Sequence, residues 1–144
     1  MKSAFLPIAL LFACALLAGC ASTQTKVIEK GRSLKGFERY FVLRNLKDNQ
    51  AVEKSIVRAL QARGFEVSSG PITLLPANAQ VVIMYEDRWS WDFGNHMVYL
   101  KLGARDPSAV FPYVTASYLD QVAIKTNVDE VAAQLIDELL AAGH

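Results

Sequence analysis

QVVIMYEDRWSWDFGNHMVYLKLGAR, residues 80–105, alternates apolar and polar positions on either side of a glycine. Val81, Ile83, Tyr85, Trp89, Trp91 and Phe93 share one phase, and Val98, Leu100, Leu102 and Ala104 share one phase of the second half. A period of two is the mark of strands with one buried face. Gly94-Asn95 is a favoured two-residue hairpin loop, with glycine where a type II′ turn needs positive φ. The expected hairpin therefore pairs Gln80–Phe93 with His96–Arg105. It sets Trp91 against Val98, Trp89 against Leu100 and Asp87 against Leu102. A slip of one residue would turn one apolar set outward. The other face would carry Met84, Glu86, Arg88, Ser90, Tyr99 and Lys101. Its weak spot is Arg88 opposite Lys101, relieved by Glu86 on the diagonal.

Two helices flank this pair. From Asn49 to Arg63, Val52, Ile56, Ala59 and Leu60 recur at helical spacing,. Asp48 or Asn49 can cap the start, and Gly64 can take the left-handed turn that ends it. Val128, Val131, Ala132, Leu135, Ile136, Leu139 and Leu140 form a longer stripe. Asn127 with Glu130 resembles a capping box, and Asp129 suits the positive end of the helix dipole. Tyr40–Leu43, Phe65–Val67 and Tyr113–Gln121 read as further strands, while Pro71 and Pro76 confine the segment between them to an edge or loop. The order is β-α-β-β-β-β-α, an α+β two-layer sandwich. A mostly antiparallel sheet of four or five strands would carry two helices on one face.

The N-terminus reads as an address. Lys2 is followed by an apolar run, Ala4 to Ala18, shorter than the ~20 residues of a membrane span. This is the layout of a secretory signal peptide. Leu17-Ala18-Gly19-Cys20 looks like a bacterial lipobox. That resemblance implies cleavage between Gly19 and Cys20, a diacylglycerol on the Cys20 sulfur and an acyl chain such as palmitate on the new amine. Two or three chains would hold the protein on a membrane permanently, where one alone anchors marginally. Ala21, rather than aspartate, follows the cysteine, which in a Gram-negative host implies the outer membrane, facing the periplasm. Residues 1–19 are thus expected to be the signal peptide, 20–36 a lipidated N-terminus and flexible tether, and 37–144 the α+β domain. Lys26, Lys30, Arg32 and Lys35 of the tether could meet anionic headgroups.

Composition narrows the partners. Of the 15 basic residues only Lys2 precedes Cys20, which leaves 14 against 14 acidic ones in the mature chain. Such neutrality argues against a nucleic-acid partner. Cys14 and Cys20 are the only cysteines. Loss of the first and acylation of the second leave no thiol, so packing alone must hold the domain in an oxidising compartment.

Chemical candidates are few. Asp87 is the one charge in an apolar phase, suited to a raised-pKa acid or base or to a structural carboxylate bonded to backbone, an indole N–H or an arginine. Trp89 and Trp91, two apart, could form a ligand platform, although the register points both at the helices as core. Tyr99 on the other face could contact a partner. His96 has no second histidine, cysteine or carboxylate cluster to complete a metal site. No nucleophile elbow or phosphate loop appears, and no cofactor is expected.

The lipobox, the polar stretch after it, a helix ending in Ala62-Arg63-Gly64-Phe65 and the strand Val81–Asp92 resemble a group of small proteobacterial outer-membrane lipoproteins of unknown function. Their layout is similar to that of larger lipoproteins whose α+β fold is like the amino-terminal domain of TolB. The resemblance implies a fold and an anchor but brings no catalytic residues. The expected function is a non-enzymatic, membrane-anchored envelope lipoprotein binding another envelope protein. The alternatives are a carrier or sensor of a small ligand, lipid or glycan and, last, a hydrolase using Asp87 or Asp92.

Overall fold

The structure, a computed structural model, describes residues 21–92, 94–122 and 125–143. The expected signal segment 1–19 and lipidation site Cys20 lie outside the described residues, as does Phe93. Among the described residues six strands and two helices follow in the order β1 (Ser22–Val27), β2 (Arg39–Leu43), α1 (Val52–Gln61), β3 (Glu66–Gly70), β4 (Val81–Ser90), β5 (His96–Arg105), β6 (Val114–Leu119) and α2 (Val128–Ala141). The strands form one sheet ordered β1-β6-β5-β4-β2-β3. β2 runs parallel to β3 and β4, and the remaining pairs are antiparallel. The fold is α+β, with both helices packed against one face of the sheet.

Handedness explains what covers the other face. β2, α1 and β3 make a β-α-β unit, and such crossovers are almost always right-handed. The chain must then pass back over β2 to reach β4. Keeping the same hand on that reverse step puts residues 71–80 on the face away from α1. Phe41 and Val82 alternate with the helix-side residues Tyr40, Val42, Val81 and Ile83, yet both are fully buried. The proline-bounded segment, with its short turn Ile72–Leu74, crosses on that side, and buried Arg105, which pairs with Val82, stands on it too.

Both helices start where side chains satisfy their free N–H groups. Ala51 takes a left-handed conformation (φ 59°), so α1 begins at Val52 rather than at Asn49. Asp48 lies beneath that start. Its carboxylate accepts the N–H groups of Gln50 (3.0 Å), Val52 (3.2 Å) and Glu53 (2.9 Å) and the Tyr85 hydroxyl (2.7 Å). Gly64 (φ 84°) follows the helix end as expected. In α2, the Asn127 side chain accepts from the Asp129 and Glu130 amides and its Nδ2 donates to the Glu130 carboxylate (2.9 Å), a side-chain variant of the expected capping box,. Arg58–Asp129 and Arg63–Asp137 ion pairs, both at 2.6 Å, tie the helices together.

The core between the layers is closed to solvent. Leu100, Leu102, Leu135 and Leu139 show no exposure, and Ile56, Ile83 and Ile136 show 1% or less. Each such side chain contributes about 1.5–3 kcal/mol of burial.

Four expectations change. The sheet is mostly antiparallel as expected but has six strands rather than four or five, with two parallel pairs made by β2 with β3 and β4. The stretch 20–36, expected as a tether, contains β1, which pairs with β6 along its length. The hairpin register differs as well: Asp87 faces Leu100, Arg88 faces Tyr99, and beyond an irregularity Trp89 faces Met97 and Ser90 faces His96. Residues 91–95 connect the strands, so Gly94-Asn95 is not a two-residue turn. Finally, Trp91 lies outside the strand and is 71% exposed; it is not core.

Candidate binding face

Away from the 71–80 crossover, the outer face runs over β4, β5, β6 and β1. Strand alternation puts Met84, Glu86 and Arg88, then Tyr99, Lys101 and Gly103, then Thr115 and Ser117, and finally Gln24 and Lys26 on it. Three shallow grooves run across it. One of about 330 Å³ is lined by Met84, Glu86, Lys101, Gly103, Pro112 and Thr115. A second, about 290 Å³, lies between Tyr99, Lys101 and the β1 side chains Ser22, Gln24 and Lys26. A third, about 410 Å³, extends over Met84 and Glu86 to Asn45 and Lys47.

The upper wall of this face is the loop 106–112. Buried Arg105 holds it by donating to the carbonyls of Asp106, Pro107 and Ala109. Pro112 then packs on Gly103, where an added Cβ would come within 3.1 Å of the proline Cβ. Glycine is there because another segment approaches the strand closely. On the floor, the Arg88 guanidinium lies 4.2 Å from the centre of the Tyr99 ring, a cation–π contact,. Glu86 is opposite Lys101, so the expected clash of Arg88 with Lys101 does not occur.

Other expected site residues lie elsewhere. Asp87 is half-buried on the helix side and accepts the Trp89 indole N–H at 2.6 Å. This is the structural role weighed for it from sequence. Trp89 is half-buried against the core, whereas Trp91 stands in the hairpin loop; the two do not form a platform. Asp92 is exposed and takes a long bond from Ser90 at 3.3 Å. His96 is buried, with Nδ1 3.0 Å from the Gly94 carbonyl. Among the described residues no three His, Cys, Asp or Glu side chains cluster as metal ligands.

Perturbed titrations mark structural groups. Burial would raise the Asp48 carboxyl, but its bonds from the Glu53 amide, the Tyr85 hydroxyl and the Gln50 and Val52 amides outweigh that and hold it below the usual range. The Arg44 guanidinium, 2.9 Å away, lowers Glu53 despite its burial. Burial, with Tyr113 nearby, pushes the Tyr40 hydroxyl up to about 12. Asp48 and Glu53 sit behind the third groove, bonded to Tyr85 and Arg44, which line it.

Alternation in the sequence puts Tyr99 on this face, but Gly103, Pro112, Thr115 and Gln24 were not among the candidates, and Lys26 was expected only at lipid headgroups. A glycine inside a strand pattern was the available signal for Gly103. The β1 residues carried none, because that strand is exposed throughout.

No protein-family model and no curated protein sequence matches the chain. Among solved structures it is similar to the PelC dodecamer from Paraburkholderia phytofirmans, at 17% identity and TM-score 0.57, covering 84% of this chain and 95% of that one. A leucine-to-methionine variant of the same protein, also a dodecamer, gives the same identity and TM-score, with 96% of that chain covered. A minor lipoprotein from Acinetobacter baumannii matches at 17% identity and TM-score 0.40, covering 73% of this chain and 92% of that one. At these identities the likeness to PelC is one of fold: the six-stranded sheet with its two helices is an architecture that a solved protein shares over nearly its whole length.

Proposed function

We propose that this chain is a lipid-anchored envelope protein that acts as a non-catalytic assembly module, held at the periplasmic side of the outer membrane through acyl chains on Cys20. Its grooved face and free β1 edge would bind a protein partner. The observation that carries this reading is the position of β1. The edge strand starts at Ser22, two residues after the lipobox cysteine, and all six of its residues are exposed. An anchor at Cys20 is therefore joined almost directly to the sheet, and the chain leaves no long tether for the domain to roam on. Edge strands invite pairing, and the polar sequence of β1, with Lys26, restrains indiscriminate pairing.

The closing of the core to solvent favours this reading over a carrier that holds its ligand between sheet and helices. Asp87 is engaged by Trp89, and Asp92 lies exposed in the hairpin loop, so the two do not converge as a hydrolase pair. Because a protein of the same fold is a dodecamer, a second copy of this chain is the first partner to test.

Cys20→Ser tests the anchor. The wild-type chain, expressed with its signal segment in a Gram-negative host, is expected in the detergent-extractable membrane fraction, and the variant in the soluble fraction. Crosslinking of the extracted wild type is expected to give multimers. A Cys20→Ser protein that still requires detergent for release would contradict the anchor. An extracted wild type that stays monomeric and crosslinks to nothing would contradict the assembly role.

A further inference from the structure

The hydrogen-bond register fixes which end of the sheet the anchor leaves from. Ser22 pairs with Leu119, Leu119 with Tyr99, and Tyr99 with Arg88. β1 therefore begins at the end of the sheet where β4 and β5 are connected. In the sequence Ala21 alone separates Cys20 from β1. The loop 120–127 is fastened at the same end, since the Asp120 amide donates to the Val98 carbonyl (2.9 Å) and the Thr126 hydroxyl to the Met97 carbonyl (2.8 Å).

That end exposes large apolar side chains: Trp91 at 71%, Val122 at 65% and Leu119 at 37%. Around them stand Asp92, Asp120, Lys125 and, in the row of Ser22 and Tyr99, Arg88, so among these described residues the charges balance and there is no cationic surplus. The basic residues expected to meet the headgroups lie elsewhere. Lys26 pairs with Thr115, four residues up the strand from Ser22, and Arg32 is bound to Asp106 at the opposite end.

Resting on the anchored reading above, we propose that this end of the sheet docks on the phospholipid surface, with Trp91 and Val122 seated among the headgroups. Acyl chains on Cys20 must enter hydrocarbon, and the short link brings the sheet end down with them. An indole, apolar in body and polar at its N–H, suits that depth. The contact is apolar rather than electrostatic, so zwitterionic lipid suffices. The sheet then stands with its grooved face and β1 edge rising from the membrane.

The test uses the acylated full chain, extracted in detergent and reconstituted into phosphatidylcholine vesicles with and without lipid brominated near the headgroup. The expected result is that wild-type tryptophan emission shifts to the blue and is quenched by the brominated lipid, and that Trp91→Phe removes most of that quenching while still floating with the vesicles. A second probe, Phe111→Trp in the Trp91→Phe background, reports the opposite end, where Phe111 is 80% exposed. It is expected to stay open to aqueous iodide and untouched by bromine. Wild-type protein that floats with vesicles but leaves Trp91 open to iodide would overturn the docking and leave the anchor standing. Wild-type protein that does not float would overturn both.

Discussion

Asp48→Ala is expected to destabilise the domain by about 3 kcal/mol, read from the urea midpoint at neutral pH. One carboxylate there caps the start of α1 through three amides and also receives the Tyr85 hydroxyl, which joins helix to sheet. Loss of an N-terminal cap costs ~1 kcal/mol, and leaving the Tyr85 donor and the partly buried amides without an acceptor adds ~1–3 kcal/mol. The pH dependence follows from the lowered carboxyl. A group whose pKa is lower folded than unfolded stabilises fully above its unfolded value, near 4, and loses that contribution as pH falls through its folded value. The stability gap between wild type and Asp48→Asn should therefore narrow on acidification below about pH 4. A gap that stays constant there would mean the carboxylate's charge is not what holds the site.

The second large effect separates the two tryptophans. Trp89→Ala is expected to cost about 2–4 kcal/mol, because it empties a site against the core and strips Asp87 of its 2.6 Å indole partner,. Trp91→Ala, two residues on, should change stability by no more than about 0.5 kcal/mol. The hairpin expected from sequence would have made both substitutions costly. Equal losses in thermal or chemical unfolding would restore that register and remove Trp91 from the surface.

Why the sequence showed the faces but not the register is a matter of period. Shifting Asp87 from Leu102 to Leu100 moves the pairing by two residues, and a two-residue shift leaves every side chain on its original face. The apolar phases of β4 and β5 are therefore equally satisfied by either arrangement. What separates them is the connection, where Gly94-Asn95 carries a favoured turn signal but five residues, 91–95, make the link. The irregularity near Val98 then turns Met97 into the core, where Val98 was expected.

Helix ends were more legible than sheet edges. Asn127, Glu130 and Gly64 act through local geometry that a short sequence window contains. β1 has no buried residue, so its only trace was the β-forming Thr23, Thr25 and Val27 in a polar stretch,. The grooved face was legible only in part. Tyr99, Lys101 and Glu86 followed from alternation, but the wall formed by Pro112 on Gly103 depends on a loop folding back.

These findings change the meaning of the N-terminus. A lipobox ahead of a flexible stretch would describe a domain tethered loosely to a membrane. On the proposed anchoring at Cys20, an anchor two residues ahead of a sheet edge would set the orientation of the domain. The central claim is the chemistry at Cys20, and the mass of the N-terminal peptide of detergent-extracted protein tests it most directly. The account predicts a peptide that begins at Cys20 and carries the diacylglyceryl and amide-linked acyl masses. An unacylated Cys20, or a chain that still continues through Gly19 in the membrane fraction, would contradict it.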